Sequence, residues 1–389
     1  MSRTYRRLTD ADVQVGKPLA LSVHDESGTL LLKQGYIVAS ERQKDRLLNQ
    51  KVYISLVEEK ASTKPMRPIS ELLPEKEIPT LSVFDWVENH YQLLQNLYLN
   101  FNDPEAGSYK KVLILAEHIQ RASQKHSNGL LAAVQLATDK AYSPIKALHV
   151  GLLCEALGSR AGLNATQRIP LIAAGLTCDI GMWKLQEQLR TREAALTDEQ
   201  FKYIRSHPQR GRQLLQHIGV LDAVWLQTVE QHHERLNGSG YPAGLSGDNV
   251  IQTARIVAIA DTYSAMIRSR GDRDQRMPKE AMRDLFLSRG EEIDATLAQL
   301  FIKEMGLFPP GFTVRLNSGE IGIVTGTGNN ASSPDVDVII DAKGEPLKRA
   351  IYRDTLEKSY AIADILALPE HPFIEKLLAD MWPRVARRG

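Results

Sequence analysis

The chain of 389 residues carries 48 basic against 47 acidic side chains, a net charge of +1. That balance excludes broad electrostatic capture of nucleic acid or of an anionic membrane and leaves only local sites for phosphate. The length holds two or three domains with a real core.

From residue 1 to about 60, "PLALSVHDESGTLLLKQGYIV" pairs two apolar stretches across "DESG", a hairpin signal, and "SERQKDRLLNQ" adds a short helix. A small α+β module is expected there. Residues 61–80, "ASTKPMRPISELLPEKEIPT", are rich in Pro, Lys and Glu without periodicity and read as a linker. From 81 to 305, runs such as "VFDWVENHYQLLQNLYL" and "KVLILAEHIQRAS" repeat apolar residues at helical spacing, so a helical bundle is expected. Pro170 suits a first helical turn and Gly181 its end, which puts Asp179 at a helix C-terminus. Residues 306–360 alternate apolar and polar positions around Gly turns, a small β module. Residues 361–389 end in the amphipathic "PFIEKLLADMW", expected as a helical tail. The fold class is therefore mainly α with flanking small modules. Two cysteines, Cys154 and Cys178, provide no disulfide framework. The start "MSRTYRRLTD" leads into no apolar run, and no stretch is long enough to span a bilayer, so a cytoplasmic protein is expected.

Five residues of the helical region are of metal-ligand type: Asp179 in "TCDIG", His207 in "SHPQRG", His232 and His233 in "HHERLNGSGYP", and Asp261 in "VAIADTYSAM". Each has a plain alternative: a capping Asp, a turn His before Pro208, two surface histidines at a helix end, a buried carboxylate paired with arginine. A carboxylate inside so apolar a run must nonetheless be paired or metal-bound if buried, because desolvating a lone charge costs several kcal/mol.

The stretch "HHERLNGSGYPAGLSG" resembles the His-His-Glu, Gly, Gly-Tyr-Pro signature of the HD-GYP family, a branch of the HD metal-dependent phosphohydrolases that cleave cyclic di-GMP. "ARIVAIADTYSAM" and "LTDEQFKYIRSHPQRGRQLL" are similar to its Asp helix and its His-Pro segment, and the resemblance runs from about Ala141 to Arg273. It implies an HD-type helical bundle and two or three iron or manganese ions held by Asp179, His207, His232, His233 and Asp261, with Asp179 bridging. It implies that Gly238, Gly240, Tyr241 and Pro242 form a rigid, exposed loop that docks diguanylate cyclase (GGDEF) domains. It also implies that Arg270 and Arg273 of "RGDR" contact the dinucleotide; a solvated basic loop is the alternative.

The chain departs from the family at three positions. Lys146 in "YSPIKALHV" stands where the first ligand histidine belongs, with His149 three residues out of register; in "CDIGM", Cys178 replaces the His of the His-Asp pair and Met182 the lysine. Two imidazoles and a carboxylate still suffice for one ion, while a second ion loses two imidazoles. The Lys146 ammonium would stand where a metal belongs and pair with Asp179 or Asp261. Cys178 is either a soft ligand favouring zinc or, the better reading, a small buried hydrophobe.

Three functions follow. The first is a cyclic di-GMP signalling protein impaired in hydrolysis, acting by binding nucleotide or partner proteins, with a homodimer allowed. The alternative is an active metal-dependent cyclic di-GMP phosphodiesterase, releasing pGpG or GMP, with Asp179 as the catalytic residue of a reduced site. The third is a scaffold without nucleotide.

Overall fold

The computed structural model describes residues 5–386 except 16, 18, 25–29, 33–37, 39–43, 46, 49–51, 56–79, 104–105, 139, 190–195, 269–276 and 370. Residues 1–77 and 78–389 form two units. In the first, strands β1 (Tyr5–Arg7), β2 (Val23–His24), β3 (Leu30–Leu32) and β4 (Tyr53–Ser55) make an antiparallel sheet in the order β1-β4-β2-β3. Val13, Val23, Val38 and Ile54 are its core. β2 and β3 pair as the hairpin expected from their apolar stretches; its "DESG" turn and the linker up to residue 79 lie outside the described residues.

The second unit opens with β5 (Thr80–Leu81) and then runs through helices α1 (Val83–Leu99), α2 (Ser108–Leu136), α3 (Tyr142–Arg160) and α4 (Ala165–Thr177). Helix α3 is buried almost all round, from Tyr142 to Gly158, as an apolar helix without a polar face must be. It packs against α1, α2 and α4. Helix α4 starts five residues earlier than Pro170 suggests. Asn164 caps it in a reciprocal box with Gln167, which satisfies the first free N–H groups and leaves Pro170 inside the helix. Short helices α5 (Trp183–Leu189), α6 (Asp198–Arg205), α7 (His207–His217) and α8 (Ala223–Gln231) follow, then α9 (Gln252–Met266), α10 (Pro278–Leu287) and α11 (Ala295–Met305). Among the described residues no helix is long and apolar enough to cross a membrane.

Strands β6 (Thr313–Leu316), β7 (Ile321–Asn330), β8 (Ser333–Ile340), β9 (Pro346–Asp354) and β10 (Ile362–Leu366) form an antiparallel sheet in the order β10-β6-β7-β8-β9. Two expectations change here. Residues from 361 onward are not simply a helical tail: β10 pairs with β6, helix α12 (Pro372–Asp380) follows, and β11 (Val385–Ala386) pairs with β5. The sheet is also not separate from the helices. Phe312, Val314 and Val324 join the same apolar core as Leu131 and Val134 of α2, because one face of a five-stranded sheet has to be covered.

Candidate metal centre

The candidate residues come from five elements. Asp179 lies in the turn after α4, His207 opens α7 ahead of Pro208, His232 caps the end of α8 with His233 next to it, and Asp261 and Lys146 stand inside α9 and α3. Gly181 lets the Asp179 turn approach α7: a Cβ there would run into the His207 carbonyl oxygen.

His207 and His232 are held alike. The Nδ1 of His207 donates to the Ile204 carbonyl at 2.6 Å and that of His232 to the Val229 carbonyl at 2.7 Å. A carbonyl only accepts, so Nδ1 carries the proton in both rings and each Nε2 presents a lone pair. These Nε2 atoms face each other at 3.1 Å, an arrangement that repels unless a proton or cation sits between them. The Oδ1 of Asp179 lies 3.6 Å from His207 Nε2, and it is buried with no hydrogen-bond partner. One ligand atom from each of Asp179, His207, His232 and His233 falls within 4.8 Å of the others. Two facing imidazole lone pairs and an orphaned carboxylate oxygen fit one divalent ion.

Burial, followed by the neighbouring His232, pushes the pKa of His207 down to about 3. Burial depresses His232 too, and with help from His232 and His207 it holds His233 well below the ordinary imidazole range. The three rings are therefore neutral at pH 7, the form that binds metal.

A second ligand group, Cys178, Asp179 and Asp261, lies beside the first, and Lys146 occupies it. The Lys146 ammonium is 2.5 Å from Asp179 Oδ2 and 2.5 Å from Asp261 Oδ1. Burial opposes its charge, but Asp179 and then Asp261 outweigh that and hold its pKa well above the usual lysine value. For Asp179, burial raises the pKa, while Lys146, His207 and His232 overcome this and hold it below the ordinary carboxylate range. Cys178 donates its thiol proton to the Gly175 carbonyl at 3.4 Å, and burial pushes its pKa well up, so it remains a thiol.

Two groups escaped the sequence reading. Gln186, on α5, donates to Asp179 Oδ2 at 2.6 Å and accepts from Ser143 Oγ at 3.1 Å. No local pattern marks it, since "WKLQEQL" reads as an ordinary polar helix. Glu234, named only as part of the motif, accepts from the Ala243 and Leu245 amides at 2.7 and 2.9 Å and so clamps the loop.

That loop differs from expectation. Gly240 is pressed against the backbone of Glu234 and Arg235, leaving no room for a Cβ, Gly238 has φ +80°, and Tyr241–Pro242 is a cis peptide. Tyr241 is not an exposed aromatic. It is half-buried and stacks on His233 with ring centres 4.7 Å apart, with the Arg205 guanidinium 4.7 Å from its ring centre. Met182 is buried, and its backbone N–H closes the turn onto the Asp179 carbonyl. His149 is buried at 3.0 Å from Ser264 Oγ, away from the ligand groups. Arg270 and Arg273 lie outside the described residues.

Residues 114–297 match the HD domain family. A cyclic di-GMP phosphodiesterase of Pseudomonas aeruginosa is 31% identical over 232 residues, 59% of this chain and 56% of that protein. A second, from Borreliella burgdorferi, is 26% identical over 200 residues, 51% and 52% of the two chains. The chain thus spans about half the length of these relatives. An HDG"Y"P protein from Bdellovibrio bacteriovorus, 18% identical, aligns over 77% of this chain and 98% of its own with a TM-score of 0.48. The matched segment, residues 114–297, contains a His and Asp cluster able to hold a metal ion. Through this segment, which includes the Gly-Tyr-Pro loop, the chain is similar to cyclic di-GMP phosphodiesterases.

Proposed function

We propose that this chain is a cytoplasmic cyclic di-GMP signalling protein whose HD centre holds one metal ion, has lost most or all hydrolysis, and acts by binding the dinucleotide or partner proteins. The observation that carries this is Lys146, whose ammonium lies 2.5 Å from both Asp179 and Asp261. Asp179, His207, His232 and His233 would hold the single ion, iron or manganese by the chemistry of imidazole and carboxylate ligands.

Such an ion supplies Lewis acidity and lowers the pKa of a bound water. Among the described residues the second ligand group is taken: Asp261 is engaged by an ammonium, and Cys178 is a thiol rather than a thiolate. A fixed ammonium can neutralise charge but offers no vacant coordination position for the phosphate. Partner docking on diguanylate cyclase domains would use the outer surface of the Gly238 to Pro242 loop, while the Tyr241 ring belongs to the wall of the site. Arg270 and Arg273 are proposed contacts for the dinucleotide.

The test is elemental analysis of protein purified without chelator, with cyclic di-GMP turnover assayed in added iron or manganese and binding followed by calorimetry. One metal per chain or fewer, with binding and little turnover, is expected. Near two metals with turnover would overturn the proposal. The intact face of Asp179, His207 and His232 favours one other reading, a slow phosphodiesterase on one ion; turnover abolished by His207→Ala would identify it.

A further inference from the structure

A separate cavity of 490 Å³ opens along α7, lined by Trp183, Lys184, Tyr203, Arg210, Leu214 and His217 among others. It is none of the ligand groups above, but it shares a wall with them: Ile180 and Gly181, next after Asp179, form part of its lining. Its charge is one-sided. No acidic side chain lines it among the described residues, while Lys184, Arg210 and His217 do.

Arg210 is held rigidly. One nitrogen, Nη2, donates to the Gly181 carbonyl at 2.9 Å and to the Tyr203 carbonyl at 3.0 Å, and the guanidinium carbon lies over the Tyr203 ring, 3.2 Å from its centre. Its Nε is buried without an acceptor, and no carboxylate pairs with it or with Lys184 among the described residues. Burial works against the Arg210 charge, with only Tyr203 opposing. The Lys184 ammonium stands 5.7 Å from the Trp183 ring centre. A cavity of this size is within the ordinary range for small-ligand sites, and one rigidly held cation, Arg210, with an exposed one, Lys184, beside the Trp183 ring suits an anion joined to a planar ring.

We propose that this cavity binds a nucleoside monophosphate, its phosphate on Lys184 and Arg210 and its base against the Trp183 and Tyr203 side, independently of the metal centre. Because Arg210 holds Gly181, and Gly181 packs on His207, the ligand also changes the affinity of the centre for metal, and linkage makes that effect reciprocal.

The experiment is calorimetric titration of AMP and GMP into the full chain, as purified and after EDTA dialysis, which removes metal-dependent phosphate binding. Binding that survives EDTA and weakens at least tenfold in both Lys184→Glu and Arg210→Met is expected, with adenosine, guanosine and inorganic phosphate each at least tenfold weaker. Lys184 is an exposed residue, so its substitution tests the site even if Arg210→Met folds poorly. No binding to the folded chain, or binding indifferent to Lys184→Glu, overturns the site. Manganese affinity that is the same with and without saturating nucleotide overturns the coupling.

Discussion

Lys146 on α3 and Asp261 on α9 meet at 2.5 Å in the interior of the helical unit, and Asp179 closes the same ammonium from the other side at 2.5 Å. All three residues are nearly inaccessible, at 4%, 5% and 6% exposure for Lys146, Asp261 and Asp179. Removing one partner of a buried ion cluster leaves an uncompensated charge, which costs about 3 to 5 kcal/mol. Lys146→Met should therefore lower stability by about that amount in chemical denaturation, and added manganese should restore part of it by binding the freed carboxylates. On the proposed one-ion centre, Lys146→His should raise metal content towards two ions per chain, read by elemental analysis. Unchanged stoichiometry in Lys146→His would show that the ammonium does not set the number of ions the centre holds.

The facing His207 and His232 rings make a second prediction. His207→Ala deletes one Nε2 of the pair and should reduce metal retention at least tenfold, as loss of a ligand does. Chelation of the unsubstituted chain should lower its melting temperature, and the same treatment should leave the already metal-poor His207→Ala chain unmoved. A drop of equal size in both would show that the chelator acts elsewhere.

A pH effect is expected from a different histidine. His90 is buried on α1, bonded through Nδ1 to the Trp86 carbonyl at 2.7 Å and stacked on the Trp86 ring, and burial pushes its pKa from 6.5 down to about 4. Its second neighbour is His118, with Nε2 and Nδ1 3.1 Å apart. The sign follows from proton counting. Between pH 6.5 and 4 the unfolded chain protonates this ring and the folded chain does not, so stability falls as pH falls. A shift of that size is worth about 3 kcal/mol when complete. Urea denaturation at pH 7 and pH 4.5 should show a loss of about 2 to 3 kcal/mol from this group, and His90→Gln should flatten the dependence. An unaltered pH profile in that variant would assign the acid sensitivity to other residues.

Gly240→Ala tests the packing of the Gly-Tyr-Pro loop. The new methyl would collide with the backbone of Glu234 and Arg235, and overpacking of this kind costs about 1 to 3 kcal/mol. Since Tyr241 stacks on His233, the displaced loop should also weaken metal retention. Gly247→Ala is a useful contrast because nothing lies near its Cβ position, although its φ of +52° adds backbone strain. It should lower stability without affecting metal.

The chain itself determined the class of the molecule. Helical periodicity from 81 to 305 and the spacing of Asp179, His207, His232, His233 and Asp261 are local patterns, so they predicted both the bundle and which residues would be ligand-type. The family resemblance likewise set Lys146 where a ligand histidine is expected, and its pairing to a carboxylate followed because a buried ammonium has few alternatives. What only the tertiary structure decided were relations between distant segments. That Lys146 takes both carboxylates at once, that Gln186 saturates one Asp179 oxygen, and that Tyr241 faces inward onto His233 depend on contacts across 33, 115 and 7 positions for the first three bonds and on a loop folded back by Glu234. The start of α4 at Asn164 and the β10 strand beyond 361 were missed for related reasons: a reciprocal cap outweighed a proline signal, and a short strand is stabilised by the neighbour it pairs with rather than by its own sequence. Hydrophobic period and residue type act along the chain, whereas charge compensation in a buried site depends on which side chains the packing brings within reach.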